Sequence, residues 1–189
     1  DWSSDVCSSD LFERRLDEVA AATSIQEQES NAGIPDGVRP IVIAAMPRSG
    51  TSLLERMIAV GEGVVGIGES TVVTQVIREH REELGEDTIM GLLGADPETI
   101  DRLRFQLRRR LAVLAPRASH AVSKHLQNWM HLPSYARLAP EAPIVRLHRD
   151  PVAVGVSIYG QDLPVDRMPW VTRLEWIGRV VAVERRFTE

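Results

Sequence analysis

Cysteine is nearly absent from this chain of 189 residues, which has one, Cys7. A lone thiol offers no disulfide within the chain. No apolar run approaches the roughly 20 residues that a membrane-spanning helix needs. The net charge is −5, so no broad basic field attracts nucleic acid or anionic lipid. We therefore expect neither a nucleic-acid nor a membrane partner, and any anion site must be local, built from a few aimed groups.

The two ends of the chain are interpreted separately from the fold. Residues 1–11, which include Cys7, match the in-frame translation of a common sequencing-library adapter and are interpreted as an artefact. The alternative is a genuine polar N-terminal segment. Residues 12–39 are predicted to form an amphipathic helix, 12–30, and a linker rich in glycine and proline. Residues 40–189 are predicted to be one domain, incomplete at its C-terminus because the last helical pattern has no stop signal.

Short apolar runs alternate with helical patterns along residues 40–189. Strands are predicted for 41–45, 64–68, 121–124 and 144–148. Helices are predicted for 51–60, 71–84, 97–114, 128–138, 152–159 and from Trp170 to the end. The alternation predicts an α/β fold with a parallel sheet flanked by helices.

A strand, a tight turn and a helix that opens at Thr51 form the first informative motif, residues 47–54, PRSGTSLL. This arrangement aims backbone N–H groups and a helix N-terminus at one point, which makes an anion site. Compared with the triphosphate-binding loop GxxxxGK[ST], Ala45 replaces the first glycine and Thr51 replaces the lysine. Arg48 supplies the cation instead, and no strand ends in an aspartate placed to hold magnesium. The alternative is an ordinary strand-turn-helix with an arginine in its turn.

Residues 47–54 resemble the 5′-phosphosulfate loop of sulfotransferases that use 3′-phosphoadenosine-5′-phosphosulfate (PAPS). The resemblance is closest to the arginine-containing form in tyrosylprotein sulfotransferases and in bacterial sulfotransferases with tetratricopeptide repeats. It implies a fold like that of the P-loop NTPases, PAPS as co-substrate and no metal. It also implies that Arg48 neutralises the 5′-phosphosulfate, which is held by the backbone or hydroxyls of Ser49, Gly50, Thr51 and Ser52.

A second arginine motif begins about 100 residues later, with Arg149 after a predicted strand and Ser157 eight residues on. The planar fork of an arginine suits phosphate oxygens. The spacing resembles the 3′-phosphate motif of the same family, with Arg149 and Ser157 as the two ligands. The alternative is that Arg149 pairs with Asp150 or a neighbouring helix, and that Ser157 is a small packing residue.

Glu69 is the candidate general base. It follows the second predicted strand, at the sheet edge where ligands bind in open α/β folds. An acceptor hydroxyl has a high pKa and benefits from such a base. The segment also resembles the glycine-glutamate pair that supplies the base in tyrosylprotein sulfotransferases. The alternative is a glutamate that caps the next helix.

Lys124 is the only lysine among 22 basic residues. A compact ammonium can approach one bridging oxygen better than a guanidinium can, so Lys124 is the candidate stabiliser of the leaving group. Residues 123–129 resemble the family's aspartate-lysine-x-proline-x-asparagine segment, although Ser123 replaces the acid and Leu126 the proline. The alternative is an ordinary surface lysine.

Together these motifs predict a sulfotransferase that moves a sulfuryl group from PAPS to a hydroxyl, with Glu69, Lys124 and Arg48 as catalytic residues. The resemblance implies a bacterial protein, and a cytoplasmic location is the default expectation because no secretion signal is seen. The acceptor, a protein tyrosine, a sugar or a small molecule, is left open because acceptor specificity resides in loops. The alternatives are a P-loop kinase or nucleotide-binding protein, and a PAPS-binding scaffold without catalysis. By the resemblance, residues 12–30 are a candidate for the end of an upstream repeat domain.

Overall fold

The computed structural model describes residues 37–188 except for 86, 164, 166 and 167. Segment 1–11 and the helix predicted for residues 12–30 lie outside the described residues. The strands are β1 (Arg39–Ala44), β2 (Val64–Gly66), β3 (His120–Ser123) and β4 (Ile144–Arg146). The α-helices are α1 (Thr51–Ile58), α2 (Val72–Glu79), α3 (Arg81–Leu84), α4 (Thr88–Gly94), α5 (Pro97–Leu114), α6 (Leu132–Leu138), α7 (Pro151–Tyr159) and α8 (Leu174–Thr188). Two 3₁₀ helices span Asn128–His131 and Pro169–Thr172.

The four strands form one sheet in the order β2-β3-β1-β4, and every pair is parallel. The register sets Val42 of β1 opposite Ser123 on one side and Ile144 on the other. The predicted α/β fold with a parallel sheet flanked by helices is confirmed. Because the strands are parallel, their carboxyl ends meet at one edge of the sheet, where open α/β folds bind ligands.

Two apolar clusters hold the helices against the sheet. The first joins β1 and β3 to α2, α5 and α6, with Val42, Val76 and Leu103 fully buried. The second joins the end of β1 to the first 3₁₀ helix, α7 and α8. Burying a large aliphatic side chain stabilises the fold by about 1.5–3 kcal/mol. The two clusters therefore hold the strands and helices that flank the loops at the sheet edge.

The predicted helices are present, but their limits differ: the helix predicted for 51–60 ends at Ile58, and the one predicted for 128–138 begins as the 3₁₀ helix Asn128–His131. The helix predicted for 71–84 is interrupted at His80, whose backbone leaves the helical region, so it forms α2 and α3. Sequence reasoning missed α4, whose first turn is capped by the Asp87 side chain. The helix predicted from Trp170 begins with the second 3₁₀ turn before α8. Asp96 caps α5 as expected, accepting from the N–H groups of Glu98 and Thr99.

Within the part of the chain that the structure describes, no helix has the length and apolar character needed to cross a membrane.

Candidate functional site

The predicted site residues follow the carboxyl ends of four different strands. Arg48 lies four residues after β1, Glu69 three after β2, Lys124 one after β3 and Arg149 three after β4. Since the four strands are neighbours and parallel, all four side chains belong to the same edge of the sheet. The fold therefore collects them from positions up to 101 residues apart.

The loop predicted to bind phosphate, residues 47–52, connects β1 to α1 and is called the phosphate loop below. Gly50 occupies the N-cap position of α1 with φ of 101°, a left-handed conformation that favours glycine. Its carbonyl oxygen accepts from the N–H groups of Leu53 and Leu54, both at 3.1 Å. Because a glycine has no side chain to cap a helix, the first N–H groups of α1 have no side-chain acceptor at the N-cap position. Thr51 is buried at the helix start and Ser52 is exposed beside it.

Arg48 joins the phosphate loop to the second arginine motif. Its φ of 68° places a residue other than glycine in the left-handed region, a conformation that surrounding contacts must support. Arg149 Nη1 donates to the Arg48 carbonyl oxygen at 2.8 Å, and Arg48 Nε donates to Ser157 Oγ at 3.1 Å. The structure thus brings together the residues predicted for the two phosphate groups.

Arg149 does not pair with its neighbour Asp150. The Asp150 carboxylate instead caps α7 by accepting from the Ala153 N–H at 2.8 Å. A small cavity beside the phosphate loop is lined by Ser49, Arg149 and residues of α8, among them Glu184. Sequence reasoning predicted that helix but missed its part in this wall.

Glu69 and Lys124 form an ion pair, with Lys124 Nζ 2.9 Å from Glu69 Oε1. The Lys124 side chain is 13% exposed and the Glu69 side chain 51% exposed, so the ammonium is largely enclosed and the carboxylate opens to solvent. The backbone N–H of Lys124 also donates to the Gly68 carbonyl oxygen at 3.0 Å. Lys124 is therefore no ordinary surface lysine, and the Glu69 carboxylate contacts it rather than capping α2. A carboxylate and an ammonium therefore lie side by side at the carboxyl ends of β2 and β3.

Asn128 connects the strand ends beneath these loops. Its Nδ2 donates to the carbonyl oxygens of Ile43 in β1 and Ser123 in β3, both at 3.1 Å. Its Oδ1 accepts from the Tyr135 hydroxyl at 3.2 Å. Burial raises the pKa of Tyr135 to about 12, so this donor keeps its proton. Asn128 stands where the family segment that residues 123–129 resemble has its asparagine, and sequence reasoning gave it no role.

Replacing Asn128 with alanine is expected to lower the free energy of unfolding by about 2–4 kcal/mol, since buried partners left unpaired cost ~1–3 kcal/mol each. Tyr135→Phe removes one bond only and should cost less. Urea unfolding of the two variants measures both changes. A loss below that of Tyr135→Phe would show that the asparagine does not hold the strand ends.

His131 is a buried histidine beneath the same edge. Desolvation, with a smaller contribution from the charge of His125, lowers the pKa of His131 to about 4. Its Nε2 lies 3.4 Å from Thr74 Oγ1. The folded protein thus holds this imidazole neutral at pH values where an unfolded chain, with a pKa near 6.5, begins to protonate it.

The unfolded state therefore binds more protons than the folded state below pH 6.5, and stability falls as the pH drops towards 4. We expect the His131 contribution to be ~2 kcal/mol between pH 7 and pH 5. Urea unfolding at these two pH values should show a smaller pH dependence in His131→Gln than in the wild type. An equal dependence in both proteins would mean that His131 titrates normally.

No group of three or more histidine, cysteine, aspartate or glutamate side chains is placed to hold a metal ion among the described residues.

The sequence of this chain matches that of a known protein family. Residues 40–188 match the sequence model of the sulfotransferase family. A curated protein of Aquifex aeolicus (strain VF5), described as an uncharacterized protein, is 24% identical over 159 residues. The alignment covers 80% of this chain and 21% of that relative, so the chain spans about a fifth of its length. No solved structure matches the chain significantly.

Proposed function

This chain belongs to the sulfotransferase family, and we propose that it transfers a sulfuryl group from PAPS to an acceptor hydroxyl. The observation that carries the proposal is the contact of Arg48 with both Ser157 and Arg149. It sets a cationic loop at a helix N-terminus beside a second arginine and a hydroxyl. Two anion sites that share one wall suit a ligand with phosphate groups on both the 5′ and the 3′ oxygens.

The 5′-phosphosulfate is assigned to the phosphate loop. The N–H groups at the start of α1 carry the positive end of the helix dipole, and Arg48 adds a full charge. The 3′-phosphate is assigned to Arg149, whose guanidinium offers a planar fork, and to Ser157 Oγ. A nucleotide without a 3′-phosphate lacks that second set of bonds.

Glu69 is assigned as the base that takes the proton of the acceptor hydroxyl. The acceptor oxygen then forms its bond to sulfur as the bond from sulfur to the 5′-phosphate oxygen breaks, and adenosine 3′,5′-bisphosphate leaves. Lys124 and Arg48 stabilise the charge that develops on that phosphate oxygen, in the way that preorganised cations assist phosphoryl transfer. An ammonium has three N–H donors, so Lys124 can contact Glu69 and the leaving oxygen together.

A thermal-shift titration tests the donor assignment, with adenosine 3′,5′-bisphosphate compared with ADP and magnesium. A ligand that binds the native state alone stabilises it by about 2.7 kcal/mol at 100 times its Kd. We expect a rise in Tm with the bisphosphate and a smaller rise with ADP and magnesium. A rise with ADP and magnesium alone would contradict the proposal and favour a kinase.

A further inference from the structure

Glu55 connects the helix that follows the phosphate loop to the strand end that carries Glu69. It lies in the second turn of α1 and is half-buried. Its Oε1 accepts from the Gly68 N–H at 2.6 Å. Gly68 is the residue directly before Glu69, so the Glu55 side chain reaches from the helix after the phosphate loop to the backbone next to the proposed base.

The backbone around Gly68 is shaped to receive this carboxylate. Gly68 has φ of 63°, in the left-handed region where glycine is favoured. A Cβ built on Gly66 would lie 2.9 Å from Glu55 Oε1 and 3.1 Å from its Cγ. A side chain at either position would therefore displace the carboxylate or strain the turn.

The strand end is held from two sides. On the β3 side, the Ile67 N–H donates to the Val122 carbonyl oxygen at 2.9 Å, and the Gly68 carbonyl oxygen accepts from the Lys124 N–H at 3.0 Å. On the α1 side, Glu55 holds the Gly68 N–H. Hydrogen bonds from a backbone N–H to a carboxylate are among the stronger ones in proteins. Glu55 thus bonds the residue before Glu69 to the helix that follows the phosphate loop.

We propose that Glu55 is a positioning residue that couples the phosphate loop to the general base. The inference rests on the proposed function, since it assigns Glu55 to the alignment of the PAPS site with Glu69. When the donor orders the start of α1, it also restrains Glu55, which lies in the same helix and accepts from the Gly68 N–H. Misplacing a reacting group by about 1 Å can cost 10²-fold in rate. We expect Glu55→Ala to lower kcat by ~10–100-fold and to change the Kd of the bisphosphate by less than about threefold.

Amide hydrogen exchange measures the coupling without a turnover assay. In the wild type, adenosine 3′,5′-bisphosphate should slow exchange at the amides of 67–69. In Glu55→Ala this protection should be lost although the ligand still binds. Glu62→Ala is the matched control, because it removes an exposed carboxylate from the turn after the same helix. It should behave as the wild type does.

Two further variants separate positioning from folding. Glu55→Gln keeps an oxygen acceptor and should restore part of the protection and of kcat. Gly66→Ala should mimic Glu55→Ala because its methyl group displaces the carboxylate, and it should add little to the Glu55→Ala change when the two are combined. If Glu55→Ala fails to fold, partial protection in Glu55→Gln and lost protection in Gly66→Ala, each compared with the wild type, still test the inference.

The outcomes separate this inference from the proposed function. Loss of protection in Glu55→Ala with retained bisphosphate binding supports the inference. Equal protection in the wild type and in Glu55→Ala overturns it, and leaves the proposed function standing. Fully additive effects of Gly66→Ala and Glu55→Ala also overturn it. A wild-type protein that does not bind the bisphosphate overturns both.

Discussion

Replacing Arg149 with alanine is expected to raise the Kd of adenosine 3′,5′-bisphosphate by about 100-fold, the equivalent of ~3 kcal/mol. Two losses add in this variant. The bonds proposed between Arg149 and the 3′-phosphate disappear, and hydrogen bonds to charged groups are worth about 1.5–3 kcal/mol each. The Arg48 carbonyl oxygen also loses its donor at 2.8 Å, which loosens the left-handed turn of the phosphate loop. Isothermal titration of the wild type and the variant measures the change.

Adenosine 5′-monophosphate distinguishes the two losses, because it lacks the 3′-phosphate. The Kd of the monophosphate should rise much less than that of the bisphosphate in Arg149→Ala. Arg149→Lys retains the charge without the planar fork and should give an intermediate Kd. Arg78→Ala, which removes an exposed arginine from α2, is the matched control. Equal losses for both nucleotides would show that Arg149 supports the loop without reading the 3′-phosphate.

Replacing Glu69 with glutamine is expected to lower kcat by ~10²–10⁴-fold, the usual contribution of a general base. The amide retains an oxygen that can accept from Lys124 Nζ, so the 2.9 Å contact has a substitute. The Kd of the bisphosphate should therefore remain within about threefold of the wild-type value. A loss in kcat without a loss in binding identifies a group that acts on the reaction rather than on the ground state.

Glu62→Gln, the same chemical change on an exposed turn, should leave kcat unchanged. Single-turnover formation of the sulfated acceptor from PAPS isolates the chemical step from product release. If kcat of Glu69→Gln stays within twofold of the wild type, another group accepts the proton.

The locally encoded parts of the site could be predicted from the sequence. An apolar strand, a glycine and a following helix predict the turn at 47–52, and all three lie within a few residues of it. The strands followed by Glu69 and Arg149 are short apolar runs, and the alternation with helices makes them parallel. The carboxyl ends of parallel strands meet at one edge of the sheet whatever the strand order. The sequence therefore predicted that these residues lie at one edge, without their distances.

The contacts across the site depend on strand order, which no local pattern encodes. Lys124 meets Glu69 because β3 lies beside β2, and Arg48 meets Ser157 because β4 lies beside β1. Glu55 resembles an ordinary polar residue of an amphipathic helix, and its bond to Gly68 appears only when β2 is in place. The sequence signal that could have indicated this bond was the pair Gly66 and Gly68, which leaves room for a carboxylate at the strand end.

Consumption of PAPS tests the central claim most directly. The protein is incubated with PAPS and, separately, with a tyrosine peptide, a polysaccharide and a small phenol, and the nucleotide and the sulfated product are measured together. We predict that with at least one acceptor class the bisphosphate and a sulfated product form in equal amounts, and that both fall sharply in Glu69→Gln. PAPS left intact with every acceptor, or consumed equally by the wild type and Glu69→Gln, would contradict the account.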